Sequence, residues 1–168
     1  MNTPLVGIIM GSDSDWPIME PATSALDEFA ISWEVNVLSA HRMPDDTLAY
    51  GRSAVERGLR IIIAGASGAA HLSGVLAAVT PLPVIGVPIA AKTLDGLDSL
   101  LSTVQMPSGV PVATVGIDNA RNAALLAVRM LAVADTKLRE RYIQFMQSLR
   151  DTAAAKGASI RTNRPISQ

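Results

Sequence analysis

Short apolar runs alternate with amphipathic segments along most of the chain, and this alternation restricts the fold more than any other feature of the sequence. The first run is Val6-Gly7-Ile8-Ile9-Met10, and a segment with helical periodicity follows it at 16–29. Further predicted strands lie at 33–38, 60–64, 84–87 and 112–115, and further predicted helices at 44–57, 69–79, 94–104, 120–134 and 137–155. Strands that alternate with helices at this spacing form βαβ units. The sequence therefore predicts an α/β fold with a parallel sheet between two layers of helices.

The length of 168 residues suits one domain. We expect a single α/β domain over 1–156, a three-layer α/β/α sandwich with a flavodoxin-like parallel sheet, and a loose C-terminal tail over 157–168. The chain has no cysteine and only two histidines. Disulfides, thiolate metal sites and histidine-rich metal clusters are therefore excluded, and we expect no metal.

Charge and hydropathy give no reason to expect a nucleic acid or a membrane as a partner. The formal net charge is −1, which provides no general attraction to polyanions. The uncharged stretch 61–91 is nominally long enough to cross a bilayer, but its three prolines and four glycines make a continuous helix implausible. The N-terminal ten residues carry no Lys or Arg and no cleavage pattern typical of a signal peptide. We therefore expect a cytoplasmic protein.

The distribution of charge predicts a homo-oligomer. Neither 61–91 nor 99–117 contains an Asp, Glu, Lys or Arg residue, whereas the helices of a lone domain normally carry a charged outer stripe. We therefore expect an assembly with 61–91 at its centre. Residues 136–168 hold seven basic and two acidic side chains, and the rest of the chain is acidic. This segment is either a solvated terminal helix and tail or a basic tail that lies on a neighbouring subunit.

Ligands of open α/β sheets bind at the carboxyl ends of the strands, where three turns of this chain are polar or glycine-rich. The first turn, 11–15, offers the hydroxyls of Ser12 and Ser14 and the free N–H groups of a helix start, which together suit a phosphate. The carboxylate of Asp15 suits a ribose diol. The alternative is an ordinary capped helix start. Neither a Walker A motif nor Gly-x-Gly-x-x-Gly is present, which argues against ATP and NAD as ligands.

The second turn, 39–42, reads Ser39-Ala40-His41-Arg42. Arginine is the best bidentate ligand for phosphate, and histidine can give or take a proton near neutral pH. The pattern therefore indicates a phosphate contact at Arg42 and a proton carrier at His41. The alternative is a surface loop with a solvated histidine and arginine.

The third turn, 65–71, holds the only other histidine of the chain. Small residues such as Gly68 and Ala69 can present successive N–H groups to an anion. The alternative is a tight turn in which glycine is needed only for its backbone angles. We expect His71 to support the site rather than carry the proton, and it could equally be a buried histidine bonded to a backbone carbonyl.

These turns and two later segments together resemble the class I N5-carboxyaminoimidazole ribonucleotide mutases of purine biosynthesis. The motifs are Gly-Ser-x-Ser-Asp-Trp at 11–16, Ser-Ala-His-Arg at 39–42, Ala-Gly-x-x-Gly-Ala-Ala-His-Leu at 64–72, Asp-Ser-Leu-Leu-Ser-x-Val-Gln-Met-Pro at 98–107 and Gly-Val-Pro-Val-Ala-Thr-Val at 109–115. The chain departs from the usual pattern at Ser67, at Ser73 and over 116–121, and none of these positions is one to which we assign catalysis.

The resemblance implies an isomerase that moves a carboxylate from the exocyclic nitrogen of an aminoimidazole ribonucleotide to ring carbon 4. It implies that His41 is the catalytic acid and base, with no cofactor and no metal. It makes the ribonucleotide the partner of the site and the protein a homo-oligomer, an octamer in this family, with sites between subunits. The expected substrate-binding residues are Ser12, Ser14, Asp15, Ser39, Arg42, Gly68, Ala69 and His71.

Two rival functions remain open from the sequence. One is a class II-type carboxylase that takes free carbon dioxide and aminoimidazole ribonucleotide, although 69–72 resembles the class I loop. The other is a non-catalytic module that binds a phosphoribosyl group as a regulator. The presence of His41 in the second turn argues against a site without a proton carrier.

Overall fold

Within residues 3–163, which this computed structural model describes, five parallel strands form one sheet in the order β2-β1-β3-β4-β5. The strands are β1 Val6–Met10, β2 Trp33–Val37, β3 Ile61–Ser67, β4 Val84–Ile89 and β5 Ala113–Thr114. The helices are α1 Trp16–Glu28, α2 Pro44–Ser53, α3 Leu72–Ala77, α4 Leu97–Val104, α5 Ala120–Ala132 and α6 Thr136–Asn163, and two short 3-10 turns cover Asp13–Asp15 and Leu94–Gly96. This strand order is that of flavodoxin-like sheets.

The apolar strands divide the core into two layers, because successive side chains of a strand point to opposite faces of the sheet. On one face Ile8 and Met10 pack with side chains of α1 and α5. On the other face Ile9 packs with Tyr50 of α2 and Leu76 of α3. Helices therefore cover both faces, and the predicted three-layer α/β/α sandwich is confirmed.

Several predicted boundaries differ from the structure. Helix α3 begins at Leu72 rather than at 69, because the N–H groups of Ala70 and His71 bond to carbonyls only two residues back. Helix α2 ends at Ser53 rather than near 57. Helix α6 continues to Asn163, although we expected a loose tail from 157. A single interior glycine costs a helix only about 1 kcal/mol, so Gly157 does not end it. The last part of the expected tail, 164–168, lies outside the described residues.

Part of the uncharged stretch 61–91 is buried within the chain. Strands β3 and β4 lie in the interior of the sheet, and Leu72, Ser73 and Leu76 of α3 are buried against it. The exposed apolar side chains lie elsewhere, on α4 at Leu97, Leu101 and Val104 and on α6 at Ile143, Met146 and Leu149. No helix in the described part of the chain is long and apolar enough to cross a bilayer.

A buried tyrosine joins β1, β2 and α2 at the end of the sheet remote from the strand-end turns. The Tyr50 hydroxyl donates to Glu34 Oε1 at 2.7 Å, and Arg57 Nη1 donates to the same oxygen at 2.7 Å. The Arg57 guanidinium also lies over the Tyr50 ring, 4.4 Å from its centroid. A side chain at Gly7 would collide with the Tyr50 hydroxyl and would have to displace it from Glu34. Burial, followed by the bond to Glu34, raises the pKa of Tyr50 above its ordinary value.

Candidate active site

The order of the strands brings the three polar turns together. Strand β1 lies between β2 and β3, so the chain leaves β1 in one direction and returns on its other side, and ligands bind at such a switch point. A cavity of about 310 Å³ opens there. It is lined by Gly11, Ser12, Asp15, Ser39, Ala40, His41, Arg42, Ala66, Ser67, Ala69, His71 and Leu72. Both histidines of the chain therefore face one cavity.

The first turn is held by a capping box. The Ser12 N–H donates to Asp15 Oδ2 at 3.1 Å, and the Ser12 hydroxyl accepts from the Ser14 N–H at 3.3 Å. The Ser14 hydroxyl donates to Ser12 Oγ at 2.9 Å, and Ser12 Oγ donates to Asp13 Oδ1 at 3.1 Å. Ser12 therefore caps the 3-10 turn Asp13–Asp15, and Asp15 is the N-cap residue of α1, without a side-chain bond to that helix. Because hydroxyl protons rotate freely, both serines can redirect a donor towards a ligand anion.

The carboxylate of Asp15 is buried at the edge of the cavity and only 5% of the residue is exposed. Burial raises its pKa above the ordinary value, and the proximity of Asp13 acts in the same direction. The N–H groups of Ser12 and Gly11 and the charge of Arg42 oppose this rise. A carboxylate in such surroundings gains from hydrogen-bond donors supplied by a ligand, such as the two hydroxyls of a diol.

Arg42 connects the first turn to the second. Its Nη2 donates to the Gly11 carbonyl at 3.0 Å, and its Nε donates to Ser39 Oγ at 3.2 Å. The Ser39 hydroxyl also accepts the Arg42 backbone N–H at 3.3 Å. A guanidinium has five N–H donors, and these contacts use two of them. The remaining donors can bind an anion in the cavity without loss of the bond to Gly11.

His41 and His71 connect the second turn to the third. His41 Nε2 lies 2.8 Å from His71 Nδ1, and the two rings are nearly perpendicular with centroids 4.9 Å apart. One nitrogen must donate and the other accept, so the pair shares a single bridging proton. A protonated His41 can donate from Nε2 to a neutral His71. The bond to His71 occupies His41 Nε2 and leaves His41 Nδ1 for contact with a ligand.

The third turn is held from behind by α4. Gly68 has a positive φ of 64°, and its N–H donates to Ser99 Oγ at 2.8 Å. The Ser99 hydroxyl in turn donates to the Ile89 carbonyl at 2.6 Å. The Ala70 and His71 N–H groups bond to the carbonyls of Gly68 and Ala69. Much of the N–H array that the sequence suggested as an anion cradle is therefore used within the protein.

Seven of the nine predicted site residues line the cavity: Ser12, Asp15, Ser39, His41, Arg42, Ala69 and His71. The other two, Ser14 and Gly68, do not line the cavity. Ser14 bonds to Ser12, which lines it, and Gly68 bonds to Ser99, which holds the third turn. Sequence reasoning did not single out Leu72 as a lining residue or Ser99 as the partner of Gly68. Their only signal in the sequence is membership of the motifs at 64–72 and 98–107. Among the described residues, no group of three or more potential ligands could hold a metal ion.

Comparison with known proteins extends this picture over nearly the whole chain. The sequence profile of the AIR carboxylase family matches residues 5–152. The N5-carboxyaminoimidazole ribonucleotide mutase of Mycobacterium tuberculosis is 62% identical over 157 residues, which cover 94% of this chain and 90% of that protein. The protein of the same name from Pyrococcus horikoshii is 57% identical over 147 residues, 88% of this chain and 83% of that protein.

A solved structure supports the same relationship. The crystal structure of Treponema denticola PurE superposes with a TM-score of 0.84 and 28% identity, over 94% of this chain and 99% of that one. The match spans the sheet, the three strand-end turns and the helices that hold them. On the extent of the sequence match and the agreement in fold, the chain belongs to the AIR carboxylase family.

Proposed function

We propose that this protein is an N5-carboxyaminoimidazole ribonucleotide mutase of purine biosynthesis, with His41 as its catalytic acid and base. Curated relatives 57–62% identical over most of the chain carry that name. The observation that carries the catalytic assignment is the position of His41: it lies in the cavity at the switch point, and its Nε2 is bonded to His71. This position supports the proposal of a proton carrier next to the side chains proposed to bind the phosphate and the ribose.

The reaction needs one proton to be given and one to be taken back. When the exocyclic nitrogen of the substrate carbamate is protonated, its N–C bond to the carboxylate breaks and carbon dioxide leaves. The enamine-like carbon 4 of the ring then attacks that carbon dioxide. Removal of the proton on carbon 4 restores the aromatic ring. In this proposal His41 donates at the nitrogen and accepts at carbon 4, so it ends the cycle in its starting protonation state.

The other side chains of the cavity hold the ribonucleotide in place. Arg42 has N–H groups left for the phosphate, and the hydroxyls of Ser12 and Ser14 are the neighbouring donors. Asp15 accepts from the ribose diol. Ala69 and the rest of the third turn close the side of the cavity where the carboxylate moves, which keeps a small neutral gas next to the carbon it must join.

The protein is further proposed to act in the cytoplasm as a homo-oligomer, an octamer. The exposed apolar side chains of α4 and α6 support association, because stripes such as Leu97, Leu101 and Val104 are more often covered than solvated. Sedimentation of the untagged protein measures its subunit number directly. A protein that stays monomeric at micromolar concentration would contradict this part of the proposal.

A direct conversion assay tests the function. Freshly made N5-carboxyaminoimidazole ribonucleotide is supplied without ATP or bicarbonate, and the carbon-carboxylated product is followed by absorbance. We expect rapid product formation, and we expect His41→Asn to lower turnover by about 10²–10⁴-fold while the variant still binds substrate. Near-normal turnover in that variant would remove the assignment of His41.

The same assay separates the two rivals. The family is described as AIR carboxylase, which fits an enzyme that combines aminoimidazole ribonucleotide with free carbon dioxide. Product from that substrate plus bicarbonate, with none from the carbamate, would identify such a carboxylase. No product from either substrate, with tight binding of both, would identify a non-catalytic module.

A further inference from the structure

We propose that Ser99 of α4 is a positioning residue for the mutase reaction: its hydroxyl holds the third turn so that His71 meets His41. The inference rests on the proposed function, because it assigns Ser99 a role in that reaction. Ser99 does not line the cavity and does not touch the place where a substrate would lie. Its effect on catalysis is therefore exerted through the turn that carries His71.

The Ser99 hydroxyl joins three parts of the fold. It is fully buried, donates to the Ile89 carbonyl at the end of β4 at 2.6 Å, and accepts the Gly68 N–H at 2.8 Å. A hydroxyl has one proton to give, and the bond to Ile89 uses it, so its lone pair is directed to Gly68. The sheet, α4 and the third turn are thus linked at a single atom.

The third turn depends on this contact for its shape. Gly68 has a φ of 64°, where the backbone reverses direction, and its carbonyl accepts from the Ala70 N–H at 2.9 Å. The His71 N–H bonds to the Ala69 carbonyl at 2.8 Å, and the His71 carbonyl accepts the N–H of Val75 in α3 at 2.9 Å. These bonds are all local to the turn. Two hydrogen bonds join the turn to α4, and the bond from the Gly68 N–H to Ser99 Oγ is the shorter of the two.

At the other end of the turn, the hydrogen bond between His41 and His71 would be broken by a small displacement of either ring. His41 Nε2 and His71 Nδ1 are 2.8 Å apart, and a separation about 0.8 Å larger is no longer a hydrogen bond. His71 lies three residues from Gly68, so a displacement of the anchor moves the ring that His41 relies on. Ser102 makes only a longer contact with the Gly68 carbonyl, 3.4 Å, and cannot replace the lost bond.

The test compares two hydroxyl deletions on the same helix. Ser99→Ala removes the link to Gly68. Thr103→Val removes an equally buried hydroxyl that donates to the Ser99 carbonyl and makes no contact with the turn. We expect Ser99→Ala to lower kcat at least about tenfold with KM within about threefold, and Thr103→Val to leave both within about twofold. A Ser99→Ala variant with kcat within about twofold of the wild type would overturn the proposal.

A second readout reports the position of the histidines without any reaction. His41 and His71 are the only histidines, so ring-nitrogen NMR of untagged, histidine-labelled protein shows just this pair. We expect the signals of the hydrogen-bonded nitrogens to change in Ser99→Ala and to remain in Thr103→Val. Loss of kcat with unchanged signals would mean that Ser99 does not act through the histidines. If the wild type converts no substrate, the proposed function fails, and the NMR result still decides whether Ser99 positions the pair.

A second variant covers the case in which Ser99→Ala does not fold. Ser99→Cys fills the site with a slightly larger thiol that offers only weak hydrogen bonding. Thermal unfolding would establish that the variant is folded. We expect its kcat to lie between those of the wild type and Ser99→Ala, with the histidine signals altered in the same direction. Wild-type kcat in folded Ser99→Cys would overturn the proposal.

Discussion

Removal of the His71 imidazole tests the central contact of the site. In the cavity, His71 Nδ1 is 2.8 Å from His41 Nε2, and no other side chain among the described residues bonds to the His41 ring. In the proposed reaction His41 holds a second proton before it donates to the nitrogen and again after it accepts from carbon 4, and the bond to His71 is then a bond from a charged donor. His71→Ala removes this bond and leaves the rest of the turn unchanged.

The expected loss follows from the energy of that bond. A hydrogen bond to a charged group contributes about 1.5–3 kcal/mol, and about 1.36 kcal/mol corresponds to a factor of ten in rate. If His41 is charged along the reaction path, His71→Ala should lower kcat by about 10- to 160-fold. His71 has no bond to the phosphate or ribose contacts, so KM should change by less than about threefold.

A matched variant separates the loss of the bond from the loss of the ring. His71→Asn places an amide close to where Nδ1 lies, and an amide can donate or accept there. We therefore expect His71→Asn to retain a larger share of kcat than His71→Ala. Steady-state kinetics of both variants and of His41→Asn, each checked for folding by circular dichroism, provide the comparison.

Two results would refute this reasoning. A His71→Ala variant with kcat within about twofold of the wild type would show that His41 needs no partner. Equal losses in His71→Ala, His71→Asn and His41→Asn would show that both histidines touch the reacting atoms. In that case His71 would also be a catalytic residue, contrary to the supporting role expected from the sequence.

Three other substitutions test binding and stability. Arg42→Ala should raise KM at least about tenfold, because it removes the guanidinium donors to the phosphate, and an unchanged KM would contradict that role. Because the pKa of Tyr50 is raised, its hydroxyl stays protonated in the folded protein at pH values above 10, where it loses its proton in the unfolded chain. The free energy of unfolding should therefore fall above pH 10 by up to about 1.4 kcal/mol per pH unit. Tyr50→Phe should remove that slope in thermal melts, and an equal slope would contradict the assignment. The bidentate bond from Arg121 holds the pKa of Glu28 below its ordinary 4.5, so its stabilisation is present above that pH and is lost as pH falls through the lowered pKa. Both side chains are more than one-third exposed. Arg121→Met should therefore lower the free energy of unfolding by only about 0.5 kcal/mol at neutral pH, measured by urea unfolding. A loss of stability that persists at pH 3 would exclude the ion pair as its cause.

The parts of the fold that the sequence predicted best are those decided by local patterns. Strands β1 and β3 are continuous apolar runs, as strands buried on both faces must be, and both were located within a few residues. Strand β5 covers only Ala113–Thr114 rather than 112–115, because it pairs with β4 at these two residues alone. Helix α3 begins later than predicted because the tight turn at 68–71 precedes it.

The site was predictable as a location and less so as a set of contacts. The rule that ligands bind at strand ends selected the three turns, because it depends only on the order of elements. The bond between His41 and His71 joins residues 30 positions apart, and the bond from Gly68 to Ser99 joins residues 31 apart. Such contacts depend on how helices pack against the sheet, which no local pattern specifies. The sequence therefore identified the loops that line the cavity but not which of their N–H groups are already used.

Hydrogen bonds between the three turns explain how residues from distant parts of the sequence line one small cavity. Arg42 ties the second turn to the first through the Gly11 carbonyl, His41 ties it to the third, and Ser99 ties the third to α4. The bonds of Arg42 and His41 leave other nitrogen atoms of these two side chains for a ligand or a proton. The three turns therefore form one hydrogen-bonded unit that is organised before substrate arrives, which lowers the cost of aligning a ribonucleotide with the proton carrier. The proposed reaction requires such alignment, because in it one histidine gives a proton to the exocyclic nitrogen and must also reach carbon 4 to take a proton back.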